Sequence, residues 1–252
     1  MNNYEKLEGM VAATFTPLDE NGDVNLSVID KYADWIASTP IKGVFVCGTT
    51  GELSSLTIDE RNLILEKWLV SARKRFKVIA HVGSNCQRSA MELARHAAQV
   101  VADAIASIAP SFFKPGTVDE IVDFFAPICH SAAGLPFYYY NMPAITVVNL
   151  PVVKFLVEGK KKIPNLVGTK FTHNNLMEMG VCIELEQHRF EVLHGYDEIL
   201  ISGLAMGAVA GVGSTYNYIP NVYQAIFDSM KMNDLETARQ NQIISIRTVE
   251  DM

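Results

Sequence analysis

Leu166-Val167-Gly168-Thr169-Lys170-Phe171-Thr172 is the stretch on which the reading of this chain turns. A short apolar run ends in Gly168, and Lys170 then sits among Thr169, Phe171 and Thr172, the pattern of a buried strand carrying an amine at its tail. Desolvation disfavours an ammonium and so favours the neutral amine, the form that attacks a carbonyl carbon. The plainer reading is a lysine whose stem packs while its head reaches water. The heptapeptide alone favours the plainer reading, and the rest of the chain shifts the balance.

Similar β-type runs recur on both sides. They begin near Met10-Val11, Val44-Phe45, Val78-Ile79, Ala104-Ile105, Pro136-Phe137, Leu166-Val167, Glu191-Val192 and Val209-Ala210, with helix-like periodicity between most of them. Val28, Tyr32 and Ile36 are expected on one helix face; Leu63, Trp68 and Val70 fall in a second helix-length segment, and Ile121, Phe124, Phe125 and Ile128 in a third. Thr57-x-x-Glu60, Ser89-x-x-Glu92 and Thr117-x-x-Glu120 read as capping boxes that start helices. Strands alternating with helices imply a parallel sheet, since parallel neighbours need a crossover. Eight such units in about 250 residues fit a (β/α)8 TIM barrel, with a doubly wound open sheet as the competitor. With no linker or low-complexity segment, residues 1–252 are expected to form one domain, and 234–252 a terminal helix burying Leu235, Ala238 and Ile243.

Composition narrows the function classes. Apolar residues make up 49% and charged residues 19% of the chain, as in soluble globular proteins. A net charge of -7 offers no basic surface to nucleic acid or anionic membrane, and Lys160-Lys161-Lys162 reads as a solvated helix end or loop. No apolar stretch is long enough to span a bilayer, and Met1–Glu8 is polar. Cys47, Cys86, Cys129 and Cys182 are scattered without metal-type spacing, so reduced thiols, a cytoplasmic location and no metal are expected.

In a barrel of this kind the chemistry lies at the C-terminal ends of the strands. The second run ends in Gly48-Thr49-Thr50-Gly51-Glu52, where two glycines around two hydroxyls suit either a nest for a substrate carboxylate or a tight turn. The fifth ends in Tyr138-Tyr139-Tyr140-Asn141-Met142-Pro143, whose alternation sends Tyr138 and Tyr140 to one face and Tyr139 to the other. A tyrosine there could move a proton beside the lysine, although consecutive aromatics are more often core. After the seventh come Gly195-Tyr196-Asp197-Glu198, two acids able to accept from a polyhydroxylated ligand or to cap the next helix. The eighth leads into Gly213-Ser214-Thr215-Tyr216-Asn217, which lacks a full dinucleotide fingerprint.

Together these five motifs, in this order from about Gly9 onward, resemble the N-acetylneuraminate lyase and dihydrodipicolinate synthase family of class I aldolases. The resemblance implies a TIM barrel, a Schiff-base lysine at Lys170 and a proton-moving tyrosine at Tyr140. It implies that Thr49 and Thr50 bind a pyruvoyl carboxylate, with Thr49 also bonded to the tyrosine, and that Thr172 helps to place the substrate. It implies that Gly195, Asp197, Glu198 and Ser214 hold a hydroxylated sugar tail. No cofactor is implied beyond the covalent imine at Lys170; the partners implied are small-molecule substrates and further copies of the chain, as a homotetramer.

Within the family the sequence leans towards sialic acid cleavage. Synthases carry an arginine shortly after the proline matching Pro143, where this chain has Ala144-Ile145-Thr146, and a relay tyrosine near Phe112-Phe113. The expected reaction is the reversible cleavage of N-acetylneuraminate to N-acetylmannosamine and pyruvate. The alternatives are a pyruvate aldolase for another sugar acid, or a catalytically weak, truncated sugar-acid binding protein. The last rests on length, since family members continue into further C-terminal helices and a shortened extension is expected here.

Overall fold

The computed structural model describes residues 4–251, so Met1–Asn3 of the polar N-terminal stretch and Met252 of the terminal helix lie outside the described residues. Every apolar run is a strand: β1 (Gly9–Ala13), β2 (Gly43–Val46), β3 (Lys77–His81), β4 (Ala104–Ile108), β5 (Phe137–Asn141), β6 (Leu166–Phe171), β7 (Glu191–His194) and β8 (Ala210–Gly213). Neighbours pair in parallel and in sequence order, and β8 pairs with β1, so the sheet closes into a (β/α)8 TIM barrel. Closure removes the open-sheet alternative.

The crossovers are helical: α1 (Ser27–Ala37), α2 (Ile58–Ala72), α3 (Gln87–Gln99), α4 (Val118–His130), a single turn α5 (Pro143–Thr146), α6 (Val152–Lys162), α7 (Leu176–Glu184), α8 (Leu200–Ala205) and α9 (Pro220–Lys231), with α10 (Leu235–Glu250) after the last barrel helix. Capping boxes start α2 at Thr57 and α4 at Thr117, each pairing a threonine hydroxyl with the Glu N–H and the Glu carboxylate with the threonine N–H. Ser89 caps nothing, because α3 already begins at Gln87 and places Ser89 inside its first turn. Lys160, Lys161 and Lys162 close α6 and pair with Glu186, Glu158 and Asp123.

Helix faces depart from the sequence reading in three places. In α1 the buried residues are Ile29, Ala33 and Ile36, while Val28 is exposed, because the core stripe starts one residue later. In α2 Trp68 is fully buried beside Ile64 and Leu65, but Leu63 and Val70 face water. In α10 only Ala238 of the three expected residues is buried; Leu235 and Ile243 are exposed, and the inward positions are the polar Gln242 and Ser245.

Two apolar layers result, one filling the barrel and one between barrel and helices. Tyr138 and Tyr140 point into the barrel and Tyr139 packs outside it against Phe155, as strand alternation requires. The register of β5 on β6 is broken once: Phe137 pairs with Leu166 but Tyr138 with Gly168, so Val167 is an extra residue. Beyond this bulge Tyr140 stands opposite Lys170, both facing inward. The barrel floor is polar. Glu191 is buried, accepts from Leu7 N–H at 2.6 Å and from the Tyr138 hydroxyl at 2.7 Å, and Tyr4 bonds Tyr138 in turn.

Burial holds the Glu191 carboxyl above the ordinary glutamate range despite these donors. The folded state therefore binds this proton more tightly than the unfolded chain. The group's contribution to stability is complete below the unfolded-state value and is lost as pH rises through the folded one. The urea midpoint of Glu191→Gln relative to the parent is expected to shift in the variant's favour as pH rises from about 4 to 7. Glu191→Ala orphans two buried donors and is expected to lose about 3 kcal/mol in the same titration.

Candidate active site

Lys170, the penultimate residue of β6, is 4% exposed, with its Nζ 4.2 Å from the centroid of the Tyr140 ring and 4.5 Å from that of Phe45. Two aromatic faces thus hold the amine inside the C-terminal mouth of the barrel. His81, at the end of β3, meets the Tyr140 ring edge-on with centroids 6.0 Å apart. Its Nε2 accepts from Ile108 N–H at 3.2 Å, which puts the proton of the neutral ring on Nδ1. Complete burial, then the Arg61 and Lys170 charges, push the imidazole well below its usual value, so it stays neutral beneath the amine. The Arg61 guanidinium, itself buried, donates to His81 O at 2.6 Å and Gly83 O at 2.9 Å and fixes the end of β3.

The Tyr140 hydroxyl shares a 3.2 Å hydrogen bond with Thr49 Oγ1 and also reaches Met142 Sδ at 3.0 Å. Thr49 and Thr50 are half-buried on the turn after β2. Glu52 N–H and Leu53 N–H close that turn on Thr49 O and Gly48 O, and the Thr16 hydroxyl donates to Gly51 O. The left-handed residues here are Cys47 (φ 56°) and Glu52 (φ 61°), not the glycines. Gly48 and Gly51 instead allow close approach, to the Phe45 ring and to Thr14 O.

The remaining candidates ring the same mouth. Thr172 is buried, and a Cβ on Gly195 would overlap its hydroxyl. Asp197 is 5% exposed and opens a 3-10 turn, Asp197–Ile199, but its carboxylate does not cap that turn. Its Oδ2 crosses to the loop after β8 and accepts from Thr215 N–H at 2.9 Å and from Thr215 Oγ1 at 2.7 Å. Burial raises the Asp197 carboxyl, while the Thr215 donors and the Lys170 charge pull it down. Glu198 and Ser214 are half-buried. Tyr196 is pushed up by burial, by Glu198 and by Tyr140.

The structure therefore sets Lys170 against the Tyr140 ring and the Tyr140 hydroxyl against Thr49, with Asp197 within electrostatic reach of Lys170. Sequence reasoning missed Phe45 and His81. The alternation of β2 and β3 turns Phe45 and His81 inward, and a histidine ending a barrel strand was the available signal.

A strand-end amine in an aromatic box, next to a phenol that is hydrogen-bonded to a threonine turn, defines a (β/α)8 enzyme of the lysine-dependent aldolase kind. The chain matches the model of the dihydrodipicolinate synthetase family over residues 6–249 and belongs to that family. It is 42% identical to N-acetylneuraminate lyase of Gallus gallus over 248 residues, 97% of this chain and 80% of that protein. It is 41% identical to N-acetylneuraminate lyase of Homo sapiens over 241 residues, 94% of this chain and 75% of that protein. The solved N-acetylneuraminate lyase (sialic acid aldolase) of Aliivibrio salmonicida superposes with a TM-score of 0.95 at 36% identity, covering 98% of this chain and 82% of that one. The chain is a carbon–carbon lyase of this family.

A Cβ on Gly213 would overlap the Asp197 carboxylate. Gly213→Ala is expected to cost about 1–3 kcal/mol by thermal denaturation, because either the carboxylate leaves Thr215 or β8 moves.

Proposed function

We propose that the protein is an N-acetylneuraminate lyase, cleaving this sialic acid reversibly to N-acetylmannosamine and pyruvate. The observation that carries the reading is the contact set Lys170–Tyr140–Thr49 at the barrel mouth. In this reading Lys170 Nζ adds to the keto carbon of the open-chain substrate and water leaves, giving a protonated imine. Tyr140 takes the proton of the hydroxyl on the carbon beyond the bond to be broken as its own phenol proton passes to the substrate carboxylate, and the same relay run backwards later protonates the enamine carbon. That bond's electron pair flows into the imine, the amino sugar leaves as an aldehyde, and an enamine stays on Lys170. Protonation of the enamine carbon and hydrolysis of the resulting imine return pyruvate and the free amine. The imine supplies the electrophile within this scheme.

Thr49 and Thr50 bind the substrate carboxylate, and Thr172 lies beside the reacting carbons. Gly195, Asp197, Glu198 and Ser214 receive the hydroxylated tail: Asp197 offers Oδ1 and Glu198 a half-buried carboxylate, both hydrogen-bond acceptors. Self-association is supported by the loop after β4, where Phe112 and Phe113 are 77% and 87% exposed and pack edge to face; a tetramer is what the family resemblance implies. A reducing, cytoplasmic setting is supported by the free thiols of Cys47, Cys86, Cys129 and Cys182.

Incubation with pyruvate followed by borohydride reduction and peptide mass spectrometry is expected to place the adduct on Lys170. Absence of any adduct would instead favour a sugar-acid binding protein. Lys170→Ala is expected to abolish trapping. Tyr140→Phe is expected to retain trapping while slowing cleavage by about 10²–10⁴-fold, the usual range for a lost proton-transfer group. Product analysis with N-acetylneuraminate and with a simple keto-deoxy sugar acid identifies the substrate.

A further inference from the structure

The turn that carries Asp197 and Glu198 is gripped from outside the barrel. Gln242, on α10, is 7% exposed. Its Nε2 donates to Asp197 O at 3.0 Å and its Oε1 accepts from Ile201 N–H at 2.9 Å, so one side chain spans the turn from its first residue to the start of α8. The amide can take only this orientation, because the reverse would set donor against donor and acceptor against acceptor. Ser245, fully buried one turn on, accepts from the same Nε2 at 2.6 Å and donates to Gln242 O at 2.8 Å. From the other side Thr215 holds the Asp197 carboxylate, and Tyr223 of α9 bonds Thr215 and stands next to Ser245. Asp197 is thus held by its carbonyl from α10 and by its carboxylate from the loop after β8.

Packing alone does not call for this arrangement. α10 exposes Leu235, Ile243 and Ile244 while burying Gln242 and Ser245. Burying an amide is unfavourable unless each of its groups is paired, and here each is.

We infer that Gln242 is a specificity-determining positioning residue: through the Asp197 carbonyl it sets where Asp197 and Glu198 stand, and so how the distal, hydroxylated part of the substrate is held. The hydrogen bonds of Tyr140 and Thr49 go to one another and to Met142, and Lys170 has none to Gln242, Ser245, Thr215 or Asp197. The inference rests on the sugar-acid reading given above.

The test is kinetic, on the full chain, with Gln242→Leu, Gln242→Glu and Ser245→Ala. Gln242→Leu removes both hydrogen bonds; Gln242→Glu keeps the acceptor for Ile201 but opposes the Asp197 carbonyl with a carboxylate. Both are expected to raise KM for N-acetylneuraminate about tenfold, with kcat within about threefold, the scale of one or two lost hydrogen bonds. Ser245→Ala is expected to act in the same direction and more weakly. The pyruvate concentration giving half-maximal borohydride trapping at Lys170 should not move in any of them. If Gln242→Leu does not fold, the other two variants decide. Unchanged KM for the sugar acid in the folded variants overturns the inference, as does parallel loss of trapping and cleavage, which marks a general structural role. Failure of the parent chain to trap pyruvate at all overturns the aldolase reading itself, an outcome distinct from either.

Discussion

The one-residue bulge at Val167 is the constraint from which the rest of the site follows. In a parallel pair, residues opposite each other share a face, and a slip of one residue sends every later side chain to the other side. Without the extra residue Tyr140 would stand opposite Thr169, and Lys170 would turn outward into the helical layer. With it, Lys170 meets Tyr140 across the ladder. Gly168 makes the slip possible, because any Cβ at that position would overlap the backbone of Glu191 on β7. The amine and its phenol are then positioned by strands, which are stiffer supports than loops.

The two ends of the barrel divide their tasks. At the floor, Tyr4, Tyr138 and Glu191 form a closed polar plug that ties the N-terminal segment to β5 and β7. At the mouth the polar groups are aimed at a common space or locked to one another across loops. The loops after β7 and β8 are interlocked through Asp197 and Thr215, and both lean on α9 and α10. Substitution of Asp197, Thr215, Tyr223 or Gln242 breaks a bond between two of these segments, so this quarter of the rim is built as a unit.

How much of this was legible in the sequence differs by scale. All eight strands could be found, because strands covered on both faces read as unbroken apolar runs. The strand-end motifs were likewise visible, since Gly195 and Gly213 stand where neighbouring side chains need the space of a missing Cβ. The faces of α1 and α2 were misjudged because apolar residues occur on both sides of the core stripe, and Val28, Leu63 and Val70 are exposed. Ser89 looked like a cap because a capping box is defined by two residues three apart, and nothing local excludes that spacing inside a helix. Gln242 gave no signal at all. A buried glutamine is recognised by what it bonds, and its partners, Asp197 and Ile201, are more than 40 residues away in the chain.

The self-contained starts of α2 and α4 carry a consequence for how such a chain can diverge. Thr57 with Glu60, and Thr117 with Glu120, satisfy their first-turn donors without help from the segments before them. The loop bearing Thr49 and Thr50 and the loop bearing Phe112 and Phe113 each end at such a start. Either can change length or composition without unwinding the helix downstream. These are the chain's interchangeable cassettes, where new ligand preferences or new subunit arrangements can be tried on an unaltered frame, while the loops after β7 and β8 are tied to each other and to α9 and α10 by side-chain hydrogen bonds.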